Sequence, residues 1–244
     1  SVFEVFDGVT YGKGGAVLSM LEEWLGEATF QRGLAAYMAE RAFKPATAGD
    51  LWAHMSRAAQ LPPEAVAAVA ASWTDQAGLP VLRLNQVCEG GQTRVTLQQS
   101  RFSSLPEPLA GGPWQIPLRL TRGGQTHTLL MKEPQQSLTL PGCDAQPLLA
   151  NAGGRGYYRV EYEGAARAQL ASAFATLAPA KRVTLVSDSY ALALAGRWPM
   201  AEHLALLGAV PQAMDGSRAA LFGSALSHWR SLDMALDGTP AQAP

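Results

Sequence analysis

Four histidines, two cysteines and one glycine-rich stretch are the residues of this 244-residue chain with an obvious capacity for chemistry. His54, His127, His203 and His228 are never four residues apart and no His-Glu-x-x-His occurs, so the spacing that lets one helix offer two imidazoles to a metal is missing. Each is read as an isolated surface or half-buried structural histidine. Cys88 and Cys143 are too few for a disulfide framework or a multi-cysteine zinc site, and they can pair or stay reduced. Gly8-Val9-Thr10-Tyr11-Gly12-Lys13-Gly14 looks superficially like a phosphate loop. It has one spacer too few, no preceding apolar strand, and Gly14 where a magnesium-binding Ser or Thr is needed. Arg155 to Tyr162 approaches the RNA-recognition strand signature, but Tyr158 and Arg159 stand where Gly or Ala and then an aromatic are required. The plainer reading is a strand with aromatics on one face.

Composition narrows the classes further. Hydrophobic residues make up 48% and charged residues 16%, enough to build a core. A formal net charge of −1, with no run of like charge, argues against a nucleic-acid partner or an anionic membrane surface. No apolar stretch reaches the ~20 residues of a membrane helix, and no signal-peptide pattern is present.

The elements that must position these residues fall into three zones. Up to Gly78 the pattern is helical. Val17, Leu18, Leu21, Trp24 and Leu25 form a stripe stopped by Gly26, and Phe30, Leu34, Tyr37 and Met38 repeat it in a second helix. Thr47 and Asp50 have the spacing of a capping box before Leu51, Trp52 and Met55. Pro62-Pro63 opens a fourth helix carrying Val66, Val69 and Trp73. From Leu79 to Tyr162 alternating runs take over, Val81–Leu84, Thr93–Leu97, Ile116–Leu120 and Thr126–Leu130, punctuated by glycine pairs. These predict an antiparallel β-sandwich, with Gly123-Gly124 as a hairpin turn. Beyond Gly164 helical stripes return: Leu170, Phe174 and Leu177 in one helix, Val183, Val186, Tyr190 and Leu194 in the next, as in an α-solenoid. No closing helix caps the end, so the chain is expected to be cut from something longer.

Several of these segments together resemble the M1 zinc aminopeptidases. Phe6-Asp7-Gly8-Val9-Thr10-Tyr11-Gly12-Lys13-Gly14 is similar to that family's Phe-Asp-x-hydrophobic-x-Tyr-x-Lys-Gly segment, and Leu25-Gly26-Glu27 and Phe30 follow in step. Asp50-Leu51-Trp52, Trp73-Thr74-Asp75-Gln76-Ala77-Gly78-Leu79-Pro80 and Trp114-Gln115-Ile116-Pro117-Leu118 match further motifs in order. So does Asn151 followed by Gly156-Tyr157-Tyr158-Arg159-Val160 and Tyr162. The likeness runs to about Gly196 and then fades into generic helices.

The resemblance implies a multidomain α and β protein. Residues 1–78 would be the helical C-terminal part of a thermolysin-like catalytic domain, 79–162 an antiparallel β-sandwich, and 163–244 the start of an α-helical, solenoid-like domain. It implies zinc as cofactor, a peptide as substrate, and removal of N-terminal residues. Tyr11 would be the catalytic tyrosine, its hydroxyl donating to the tetrahedral oxyanion. Phe6 would be a substrate-binding wall for the N-terminal side chain. The family's zinc motif and its Gly-x-Met-Glu-Asn loop do not occur in this sequence. The expectation is therefore a fragment that lacks its zinc ligands, needs the missing N-terminal part of the same protein as partner, and hydrolyses nothing alone. The alternatives are an M1-like scaffold without chemistry, or a peptide-binding interaction module.

Overall fold

The computed structural model describes residues 9–105, 111–143, 145–212 and 218–239. A five-residue π-helical turn, Val9–Lys13, runs directly into helix α1, Gly14–Leu25. Val17, Met20 and Leu21 supply the buried side of α1, and Gly26, at φ 84°, ends it in a conformation that costs a glycine least. Helix α2, Glu27–Arg41, follows at once, and α3, Ala48–Ala58, starts on the expected capping box. There Thr47 Oγ1 accepts from the Asp50 amide at 3.3 Å while the Asp50 carboxylate accepts from the Thr47 amide at 2.8 Å. Helix α4, Ala65–Thr74, buries Val66, Val69, Ala70 and Trp73.

Helix α2 departs from the expected stripe. Its buried residue is Gly33, while Leu34 and Met38 are exposed. A side chain at Gly33 would collide with Met55 of α3, so the two helices meet at their closest on the glycine. That approach turns Leu34 and Met38 outward.

Seven strands follow among the described residues. They are β1 (Pro80–Glu89), β2 (Gln92–Arg101), β3 (Ile116–Arg122), β4 (Gln125–Met131), β5 (Gln135–Pro141), β6 (Leu149–Ala150) and β7 (Arg159–Tyr162). They form two sheets, ordered β5-β2-β1-β7 and β4-β3-β6. Val81, Leu84, Val95 and Leu97 of the first sheet and Ile116, Leu118 and Leu120 of the second enter one common core. The hairpin at Gly123-Gly124 is present, both glycines having the positive φ that such a tight turn needs.

Two features differ from the sequence reading. The first sheet is not purely antiparallel, since β1 and β7 pair in parallel, Val81 opposite Arg159 and Leu84 opposite Tyr162. The aromatic segment is also not one continuous strand. Asn151, at φ 51°, accepts from the Gly156 amide at 2.8 Å and donates to its carbonyl at 3.1 Å, folding 151–156 into a turn. The ring of Tyr158 lies over Gly156, where any side chain would collide with it. Tyr158 and Tyr162 are buried and Tyr157 leans on Trp73, so no aromatic face is offered to bases.

The two cysteines form a disulfide between the end of β1 and the residues after β5. Nearby, the Arg122 guanidinium crosses between sheets to donate to Thr93 Oγ1 at 2.7 Å and to the Pro141 carbonyl at 2.6 Å.

The last part is helical: α5 (Gly164–Ser172), α6 (Pro179–Leu194), α7 (Met200–Ala209) and α8 (Arg218–Leu236). Leu170, Phe174 and Leu177 are all buried but do not share a helix. Helix α5 ends at Ser172, a short 3-10 turn carries Phe174, and Pro179 keeps Ala178 extended. The buried side of α6 holds Leu185, Val186 and Leu192 together with Lys181, Asp188 and Ser189, while Leu194 is exposed. Polar groups claim that face because the strands need them. Lys181 Nζ donates to the Ala150 carbonyl and to the Tyr162 hydroxyl, both at 2.8 Å. Asp188 accepts from the Val160 amide at 3.0 Å. No helix among the described residues is long and apolar enough to cross a membrane.

Candidate functional site

The π-turn carries the one site candidate that can be placed. Tyr11 is 63% exposed. Phe6 lies outside the described residues. Side chains added at Gly12, Gly14 or Gly15 would meet none of the described residues. A π-turn continuous with an α-helix is a rare conformation that recurs at functional positions.

Two residues beyond Tyr11, Lys13 reaches across to the end of α4. Its Nζ donates to the Gln76 carbonyl at 2.8 Å. Burial of the ammonium, and next the charge of Arg101, lower its pKa from the ordinary lysine value. An open depression of about 450 Å³ lies alongside, lined by Lys13, Val17, Thr74, Asp75 and Gln76. The sequence reading treated Lys13 only as a motif member, because its partner is 63 residues away and no local pattern announces it.

The site hangs on a well-tied framework. Gln76 Nε2 donates to the Ser72 carbonyl at 2.7 Å, and Ser72 Oγ accepts from the Gln115 amide at 3.0 Å. Trp73 Nε1 donates to the Gln115 carbonyl at 3.0 Å. Arg155 Nε donates to Ser19 Oγ at 2.9 Å and its guanidinium pairs with Glu22, linking α1 to the turn before β7. Helix α1, helix α4 and the sandwich are thereby registered to one another through buried or half-buried polar contacts.

Donors for a metal do not converge here. His54 is engaged at both ring nitrogens, by the Asp50 carbonyl at 2.7 Å and the Glu40 carboxylate at 3.0 Å. The cysteines are joined to each other. His203 and His228 are not isolated as their spacing suggested. They stand on α7 and α8, and both helices pack near α6, so the imidazoles come together with ring centroids 5.2 Å apart. Tyr190 stacks on His228 at 3.8 Å. His203 Nδ1 donates to Ser189 Oγ at 2.8 Å, because the Ser189 hydroxyl is itself directed at the Val186 carbonyl. Among the described residues no three His, Cys, Asp or Glu side chains form a group able to hold a metal ion. These residues therefore do not fit zinc.

Residues 1–73 match the Peptidase family M1 domain. The chain is 35% identical over 202 residues to glutamyl aminopeptidase of Homo sapiens, an alignment covering 80% of this chain and 21% of that protein. It is 31% identical over 209 residues to puromycin-sensitive aminopeptidase of Caenorhabditis elegans, covering 82% and 22%. It is 30% identical over 230 residues to aminopeptidase M1 of Arabidopsis thaliana, covering 87% and 25%. The chain thus spans about a fifth to a quarter of the length of the curated relatives it matches. Residues 1–73 through the family model, and most of the chain through these relatives, are thus similar to peptidases of the M1 family.

Proposed function

We propose that this chain is part of an aminopeptidase that removes N-terminal residues from peptides, and that Tyr11 is its oxyanion donor. The exposed phenol on an open π-turn, inside the segment that matches the M1 domain, is the observation that carries the reading. Attack on a peptide carbonyl builds negative charge on its oxygen. A phenolic O–H held at that position stabilises the transition state more than the ground state, the condition for raising kcat. Phe6 would wall the pocket for the N-terminal side chain. Because the described residues do not fit zinc, the family's metal would be held by another part of a longer polypeptide, and the 244-residue chain alone would be inactive. On the same reading, residues 1–78 are the helical end of a thermolysin-like domain, 79–162 a sandwich domain, and 163–244 the beginning of a solenoid-like helical domain.

The test compares wild type with Tyr11→Phe in the full-length polypeptide, using L-alanyl-p-nitroanilide. Loss of the phenol should lower kcat about 10²–10³-fold with little change in KM. An unchanged kcat removes Tyr11 from the reaction. Clear turnover by the 244-residue chain itself refutes the division of the site.

A further inference from the structure

We infer that Lys13 is a positioning residue for Tyr11, acting through its tether to the carboxyl-terminal end of α4; the inference rests on the aminopeptidase reading above. Tyr11 and Lys13 are two residues apart on one helical turn, so their side chains leave it on roughly opposite sides. Anchoring one therefore aims the other. Lys13 points inward to the Gln76 carbonyl, and Tyr11 is turned out into the open.

The acceptor is fixed. Gln76 follows the last residues of α4, where unpaired carbonyls and the negative end of the helix dipole favour a cation. Its side chain is bound back to Ser72, and Ser72 receives the amide that leads into β3. Just beyond, Gly78 has φ 87° and the Arg101 side chain fills the space where any other residue would place its Cβ. The carbonyl that Lys13 grasps is thus located by the helix and by the sheet.

Side chains placed at Gly12 on the turn, or at Gly14 and Gly15 behind it, would touch none of the described residues. The π-turn is closed by its own i to i+5 bonds, and the Lys13 bond to Gln76 ties it to α4 over a long range. Burial opposes the charge on Lys13, yet the part-buried amine still donates to a backbone carbonyl. A group that only covered the apolar stem of α1 would have no need to pay that cost.

The experiment uses Lys13→Met, which keeps the stem and removes the donor, and Lys13→Arg, which restores a cationic donor. In the full-length polypeptide, with L-alanyl-p-nitroanilide, Lys13→Met should lower kcat by about ten- to a hundredfold while KM stays within about twofold. Lys13→Arg should recover most of the loss. A kcat that does not fall, or a loss carried by KM, overturns the role. The tether has its own readout. With ¹³C-labelled tyrosine in the full-length polypeptide, and Tyr11 assigned through Tyr11→Phe, the Tyr11 resonance should move in Lys13→Met and return in Lys13→Arg. A resonance that stays in place overturns the tether whatever the kinetics. Absence of turnover in wild type overturns the aminopeptidase reading instead, and leaves the resonance to decide the tether.

Discussion

Raising the pH from 7 to 9.5 should strengthen the fold through Lys181, against the usual fate of proteins in mild alkali. Its ammonium is 1% exposed and held by the Ala150 carbonyl and the Tyr162 hydroxyl. Burial pushes its pKa from 10.5 down to about 8, with the Asp188 carboxylate pulling the other way. The unfolded chain then binds the proton more tightly than the native one. Between those two values the unfolded state carries more protons, so stability climbs with pH, and below the lower value the full penalty applies. The whole span is worth about 3 kcal/mol. Moving from pH 7 to 9.5 recovers roughly 2 kcal/mol of it. Urea unfolding followed by fluorescence of the buried Trp73 and Trp114 would read this as a midpoint rise of about 0.7–1 M. Lys181→Met supplies the control: Lys13 and every other amine titrate in both proteins, so the difference in slope belongs to Lys181. The window stops short of pH 10, because Tyr158 and Tyr162 are pushed up by burial and their unfolded forms ionise there, reversing the trend. Parallel midpoints for wild type and Lys181→Met across the window would refute the reasoning.

Two further outcomes follow from the same physics. Reducing the Cys88–Cys143 bridge, which spans 55 residues, should cost about 4 kcal/mol by the chain-entropy argument. Urea midpoints with and without dithiothreitol check this, and equal midpoints would show the bridge to be idle. His203 should stay neutral until about pH 4, since burial first and the neighbouring His228 next lower its pKa from 6.5. The unfolded chain takes up that proton earlier, so the native state loses stability as pH falls through this range. The His203 imidazole C2–H shift gives the midpoint by NMR, and a midpoint near 6.5 would contradict the packing.

Helices whose burial is decided by their own sequence were legible. The capping box at Thr47 and the apolar side of α4 needed no partner to be recognised. Motif order alone singles out Tyr11, and its exposure cannot be deduced from the residues around it. What escaped were features made by distant partners. Leu34 and Met38 form a good stripe, but Gly33 decided which side of α2 would meet α3. The strand at Gln135–Pro141 alternates polar residues on an edge, and only its pairing with β2 defines it. His203 and His228 meet because two helices converge on a third, which no spacing along one chain can reveal. Lys13 was invisible as a tether for the same reason.

The parallel pairing of β1 with β7 bears on how the chain is made. The β1–β2 hairpin closes locally through the turn at Gly90-Gly91, but the other edge of β1 waits for residues 159–162 to leave the ribosome. Until then those amides and carbonyls of Val81 to Leu84 that face away from β2 stand unpaired beside apolar side chains, the condition under which nascent sheets recruit wrong partners. Such long-range closure also slows folding, because chain entropy must be surrendered before the contact rewards it. Translation that stalls between β5 and β7 would therefore be the moment at which this chain most needs a chaperone.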